Sequence, residues 1–155
     1  DCRDFEKSIR MKNNIIFNIL LSIGAGYLLT ELQSFLGTTY LTNFLKQNLI
    51  TLLVALIAIN SATLSIVLTK VRELLDKSGQ QGAFNSTKKQ MILSVNEQVV
   101  LIVIAMLLLI VQDSDFIKSH VEYVTFLNVL IIGCFVYALR ILHDTAKSVF
   151  VILDY

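Results

Sequence analysis

The chain of 155 residues is 55% hydrophobic and 16% charged, with a mean hydropathy of +0.69 and no proline. Average soluble domains carry about 25% charged residues, so this composition excludes an ordinary water-soluble domain and points to a membrane protein. The net charge of +1 says nothing as a total, and the placement of charge along the chain carries the argument instead.

Residues 1–14 mix Arg3, Lys7, Arg10 and Lys12 with Asp1, Asp4 and Glu6, and set Phe5 and Ile9 four apart, which predicts a short helix lying against the headgroups. A first span follows over about residues 15–36, with Glu31 and Gln33 marking its exit from the hydrocarbon near Thr30. No Ala-x-Ala-like end follows its apolar run, so a span is expected rather than a cleaved signal. At its centre Gly24, Ala25 and Gly26 lack bulk. Either they admit a close helix crossing, or they reflect how common glycine is in membrane helices.

Residues 37–48 read as a short outer turn anchored by Tyr40 and Phe44. The second span, 49–69, contains no charged residue and is long enough to cross a hydrocarbon layer of about 30 Å. Lys70 and Arg72 end it. Ala55, Ala58 and Ala62 with Asn60, Ser61, Thr63 and Ser65 make a set too small and polar for a lipid-facing helix, and the four-residue spacings of Ala58 with Ala62 and of Ser61 with Ser65 predict packing against another helix. Asn60, near mid-membrane, needs a hydrogen-bond partner. It serves either an interhelix bond or a pore-lining or substrate-binding role.

Residues 70–90 are predicted as a helical hairpin: KVRELLDK prolongs the second helix, the two glycines of SGQQGAFNST break it, and Thr87 with Gln90 has the spacing of a capping box for the third, with Ser86 as an alternative cap. The third span covers about 91–111, yet its uninterrupted apolar run is only residues 99–111. That run cannot cross alone, so Asn96, Glu97 and Gln98 are drawn into the hydrocarbon or to its edge. Glu97 then either needs a partner at that depth, for which Lys70, Arg72 and Arg140 are the candidates, or sits at headgroup level. A second outer loop holds Asp113, Asp115, His120 and Glu122, and the fourth span runs over about 124–142 with Asn128, Gly133 and Cys134 inside it.

Of the 13 Lys and Arg residues, Arg3, Lys7, Arg10, Lys12, Lys70, Arg72, Lys77, Lys88, Lys89, Arg140 and Lys147 fall on one side of this layout, and only Lys46 and Lys118 on the other. By the positive-inside rule both termini and the hairpin face the cytoplasm, with a bacterial inner (plasma) membrane as the expected location. Lys70, Arg72, Lys77, Lys88, Lys89 and Arg140 are the expected contacts to lipid headgroups or a partner. They are interleaved with Glu73 and Asp76 beside the spans, which suits anionic lipid rather than nucleic acid. Cys2 and Cys134 give neither a disulfide framework nor metal-ligand spacing. There is no phosphate loop, metal cluster, nucleophile elbow or transporter-sized repeat, so no enzyme, no cofactor and no metal site are expected.

From Asn48 to Gln112 the layout is a polar-seamed span, a short charged helical hairpin and a third span beginning with Asn96-Glu97-Gln98. In this it resembles small four-span membrane proteins of bacterial phage-defence operons, of the Kiwa membrane-subunit and Rex membrane-protein type. The resemblance lies in topology and transfers no site residue. It implies a membrane subunit that forms homo-oligomers and either senses envelope damage for a cytoplasmic effector or depolarises the membrane.

The sequence thus predicts an all-α integral membrane four-helix bundle in a single transmembrane domain. Its expected function is a non-enzymatic subunit that homo-oligomerises through the first two spans, contacts membrane lipids and engages a cytoplasmic protein partner. Two alternatives stand beside it: an ion-conducting pore that depolarises the membrane, lined by Asn60, Ser61 and Glu97, and an accessory subunit of a transporter.

Overall fold

A chain without proline, built from long uncharged runs, satisfies its backbone polar groups in lipid by closing them within helices. The computed structural model has this form. It describes the backbone of residues 2–78 and 81–153 and the side chains of residues 15–73, 92–117 and 119–147. The fold is all-α: α1 (Cys2–Phe35), α2 (Tyr40–Ser78), α3 (Gln81–Asp113), the short α4 (Asp115–Lys118) and α5 (Val121–Leu153). The four long helices carry stretches long and apolar enough to cross a membrane, at Ile15–Phe35, Tyr40–Glu73, Ile92–Asp113 and Val121–Lys147. Large apolar side chains such as Leu20, Leu28, Ile66 and Ile110 stay exposed on them. A surface of this kind suits lipid rather than water.

Two local expectations change. The separate surface helix of residues 1–14 is instead the first part of one unbroken α1; nothing between residues 2 and 23 is a glycine or proline that would stop it. α1 continues to Phe35, and Gln33 is buried within the protein. α2 continues to Ser78 and α3 already begins at Gln81, ahead of Gly82, with residues 79 and 80 outside the described residues. Thr87 is therefore inside a helix, where it cannot act as a cap, since capping requires non-helical dihedrals. A single glycine, Gly82, costs only about 1 kcal/mol in a helix and does not end one. The side chains of Lys77, Ser86, Thr87, Lys88, Lys89 and Gln90 lie outside the described residues.

The chain divides into two compact units. The first combines residues 1–49 with 107–137. Its α1 ends in a Schellman turn: Gly37 adopts φ +64°, Thr38 N–H donates to Gln33 O at 2.9 Å and Gly37 N–H to Ser34 O at 3.1 Å. Gln33 then reaches α2, its Oε1 accepting from Thr42 N–H at 3.1 Å and its Nε2 donating to Thr42 Oγ1 at 3.2 Å. One of the unpaired first-turn amides of α2 is thereby capped. Gln112 Nε2 donates to Asn128 Oδ1 at 2.6 Å, joining α3 to α5. In the middle of α1, Gly26 lies against the backbone of α5: a Cβ there would stand 2.5 Å from Val129 O and 3.0 Å from Gly133 N. Ser22 and Thr30 turn their hydroxyls back to Asn18 O and Gly26 O, both at 2.8 Å, so the crossing is free of unpaired hydroxyls.

The second unit combines residues 50–106 with 138–155. Its apolar packing is carried by Leu64 and Val67 of α2 with Leu68, Val71 and Val95 around them. Leu101 and Ala105 of α3 and Ala138 and Ile141 of α5 are also buried.

Candidate functional site

The residues with the most chemistry in the spans meet in the second unit, on facing turns of α2 and α3. Asn60 is fully buried and Gln98 is 3% exposed. Asn60 Nδ2 donates to Gln98 Oε1 at 3.1 Å and lies 3.4 Å from Ser94 Oγ. Two atoms of this pair, Asn60 Oδ1 and Gln98 Nε2, are buried without a hydrogen-bond partner. Inside hydrocarbon each such group costs several kcal/mol unless something answers it.

The pairing also fixes a depth. Asn60 lies ten residues before Lys70, about 15 Å along the helix axis at 1.5 Å per residue. Gln98 is held at the level of Asn60, and Glu97 is its chain neighbour. Glu97 therefore stands within one residue of the level of Asn60, inside the candidate span Ile92–Asp113. It is half-buried, and among the described residues it takes no hydrogen bond and no ion pair. None of the expected cations answers it. Lys70 Nζ instead pairs with Glu73 Oε2 at 2.9 Å, both side chains being about half exposed. Arg72 is exposed, and the half-buried Arg140 is engaged elsewhere. Asn96 points outward.

The small residues of α2 sit on the opposite face from Asn60. Thr51, Ala55, Ala58, Ala62, Ser65 and Thr69 follow one another at spacings of four and three and are all exposed, while Asn60, Leu64 and Val67 face inward. Ser61 is intermediate between the two faces. Among the described residues, therefore, Ala58, Ala62 and Ser65 belong to the exposed surface rather than to the buried contacts of α2. The hydroxyls of Ser65 and Thr69 are satisfied by the carbonyls one turn earlier, at 2.9 and 3.0 Å, so the outward face offers no unpaired hydroxyl proton.

The two central glycines of α1 differ. Gly26 makes the backbone contact with α5, whereas a Cβ on Gly24 would meet nothing within 4 Å. Sequence reasoning did not single out Gly133, Ser94, Gln33, Gln112 or Asn128 as contact residues. Their common signal is a small or amide side chain inside an apolar run, where lipid leaves polar groups no partner but another helix. Among the described residues no three His, Cys, Asp or Glu side chains gather into a group that could hold a metal ion. Cys134 is a free thiol in a half-buried position. Compared with protein-family models, with curated proteins and with solved structures, the chain matches none of them.

Proposed function

We propose that the chain is a non-enzymatic integral membrane subunit that assembles with copies of itself along the outward face of α2. The single observation that supports this is the exposed seam from Thr51 to Thr69, six small side chains at alternating four- and three-residue spacing. That is the repeat by which two helices stay in register, and small residues let helices approach where lipid removes the hydrophobic drive. A lipid-facing surface has no use for such a stripe. In this reading the basic end of the molecule, with eleven of the 13 cations, lies in the cytoplasm of a bacterial cell and meets anionic lipid and a soluble protein partner. The topological resemblance to phage-defence membrane proteins supports a sensor or effector role for such an assembly.

Cysteine pairing tests the interface. In a background with Cys2 and Cys134 replaced, Ala58→Cys and Ala62→Cys cross-link two copies in native membranes, and Ala58→Leu with Ala62→Leu reduces the detergent-extracted particle to a single chain. Absence of cross-linking at every seam position, together with an unchanged particle size in the leucine variant, rules the interface out.

Ion conduction is the second reading, and the half-buried Glu97 without a described partner is what favours it. An unpaired carboxylate within a span attracts cations. Purified protein in planar bilayers then carries a current whose cation preference shifts in Glu97→Gln; a silent bilayer removes this reading and leaves the first.

A further inference from the structure

We propose that the Asn60–Gln98 pair holds one water molecule inside the membrane-spanning part of the second unit, received between Asn60 Oδ1 and Gln98 Nε2. The two side chains are 0% and 3% exposed and are already joined by one hydrogen bond of 3.1 Å, so their two unanswered atoms belong to amides that are in contact and closed off from the surface. One of these atoms is an acceptor and the other a donor.

That balance selects the ligand. A bare cation would satisfy Asn60 Oδ1 but would meet the N–H of Gln98, and an anion would meet the reverse conflict. Exchanging oxygen and nitrogen on both amides preserves the interhelix bond and leaves again one donor and one acceptor, so the conclusion does not depend on how the amides are oriented. Water is the smallest species that donates once and accepts once. Internal waters in folded proteins occupy this kind of position, on buried polar groups that have no other partner. Ser94 Oγ, 3.4 Å from Asn60 Nδ2, is a third polar group beside the same pair.

The consequence is a hydrated point about 15 Å along α2 from Lys70, next to Glu97. It is independent of the α2 seam, which lies on the other face of the helix.

Radiolytic labelling of the full chain in lipid nanodiscs reads this directly, because hydroxyl radicals formed from a held water oxidise the side chains beside it. Leu64 and Leu101, one turn from Asn60 and Gln98, are expected to be oxidised several-fold faster than Leu127, which is buried to the same degree in the first unit (8%, 7% and 6% exposed). In Asn60→Leu/Gln98→Leu, which removes both polar groups together, their rate falls to that of Leu127. Equal rates in the natural chain overturn the proposal, and so does fast labelling that survives the double substitution. A measurement that needs no variant stands beside it: magnetisation exchange between water and the Gln98 side-chain amide is expected in the natural chain. Its absence, or a direct bond from Gln98 Nε2 to Asn60 Oδ1, overturns the proposal as well.

Discussion

The two units of this molecule solve the same problem, polar residues in an apolar setting, in different ways. Among the described residues of the first unit, the amides that join two helices are answered: Gln33 binds both the backbone and side chain of Thr42, and Gln112 binds Asn128. Two backbones also touch at Gly26 and Gly133. The second unit joins α2 to α3 through Asn60 and Gln98 and leaves one atom of each unanswered. It also carries Glu97 without a described partner and turns a row of small residues outward. The first unit thus pairs the polar groups between its helices and brings Gly26 and Gly133 together, while the second leaves polar atoms unanswered and a row of small residues exposed. Interhelix hydrogen bonds in membranes are individually modest, about 0.6 kcal/mol on average, so the difference lies in completeness more than in strength.

Substitutions can break that contrast, and the largest effect is expected in the first unit. Gly26→Leu forces a side chain into the backbone of α5, and overpacking of this kind costs typically about 1–3 kcal/mol and occasionally more. A denaturation midpoint in detergent should fall by an amount at or above the top of that range, while Gly133→Ala, whose Cβ would stand 3.4 Å from Ser22 O, should be much milder. If both variants melt alike, the backbone contact is not what holds the crossing.

The second unit gives the next effect. Asn60→Leu strands the buried Gln98 amide and should destabilise by about 1–3 kcal/mol, whereas the double Asn60→Leu/Gln98→Leu variant should recover most of the loss. Additive losses in the double-mutant cycle would mean that the two amides do not act as a pair. Gln33→Ala, which removes the cap from the first turn of α2, should cost about 1 kcal/mol, readable as faster amide exchange at Thr42. Smallest of all is Gly24→Ala: with open space around the position, the exchange should be neutral or stabilise by about 0.5–1 kcal/mol through helix propensity alone. A loss as large as that of Gly26→Leu would place a partner on Gly24 that the single chain does not contain.

Several features of this architecture were legible along the chain. The uncharged run of 49–69 and the charges at Lys70 and Arg72 identify α2 as a span that ends at a charged edge, because hydrocarbon tolerates neither open backbone nor unpaired charge. Asn60 was legible as a residue in need of a partner. That the partner is Gln98, and that Glu97 is thereby carried to the same depth, was not, since the apolar run of α3 alone permits Glu97 to stand anywhere from mid-span to the headgroups. The glycine pair was legible in part: the close crossing is there, at Gly26 and not at Gly24. Gly24 and Gly26 are two residues apart, which on a helix separates their faces by about 200°, and only a neighbour's position decides which one is used.

The order of residues by itself determined that this protein is helical, that four of its segments match the thickness of a membrane, and that most of its cations cluster at one end of the layout. These properties follow from the transfer of single groups between water and lipid, which needs no knowledge of neighbours. The tertiary structure alone decided which polar side chains pair, which glycine admits a backbone, and which face of α2 remains free. Those outcomes depend on the rotation and register of one helix against another, and neither quantity is encoded in the hydropathy of a single segment.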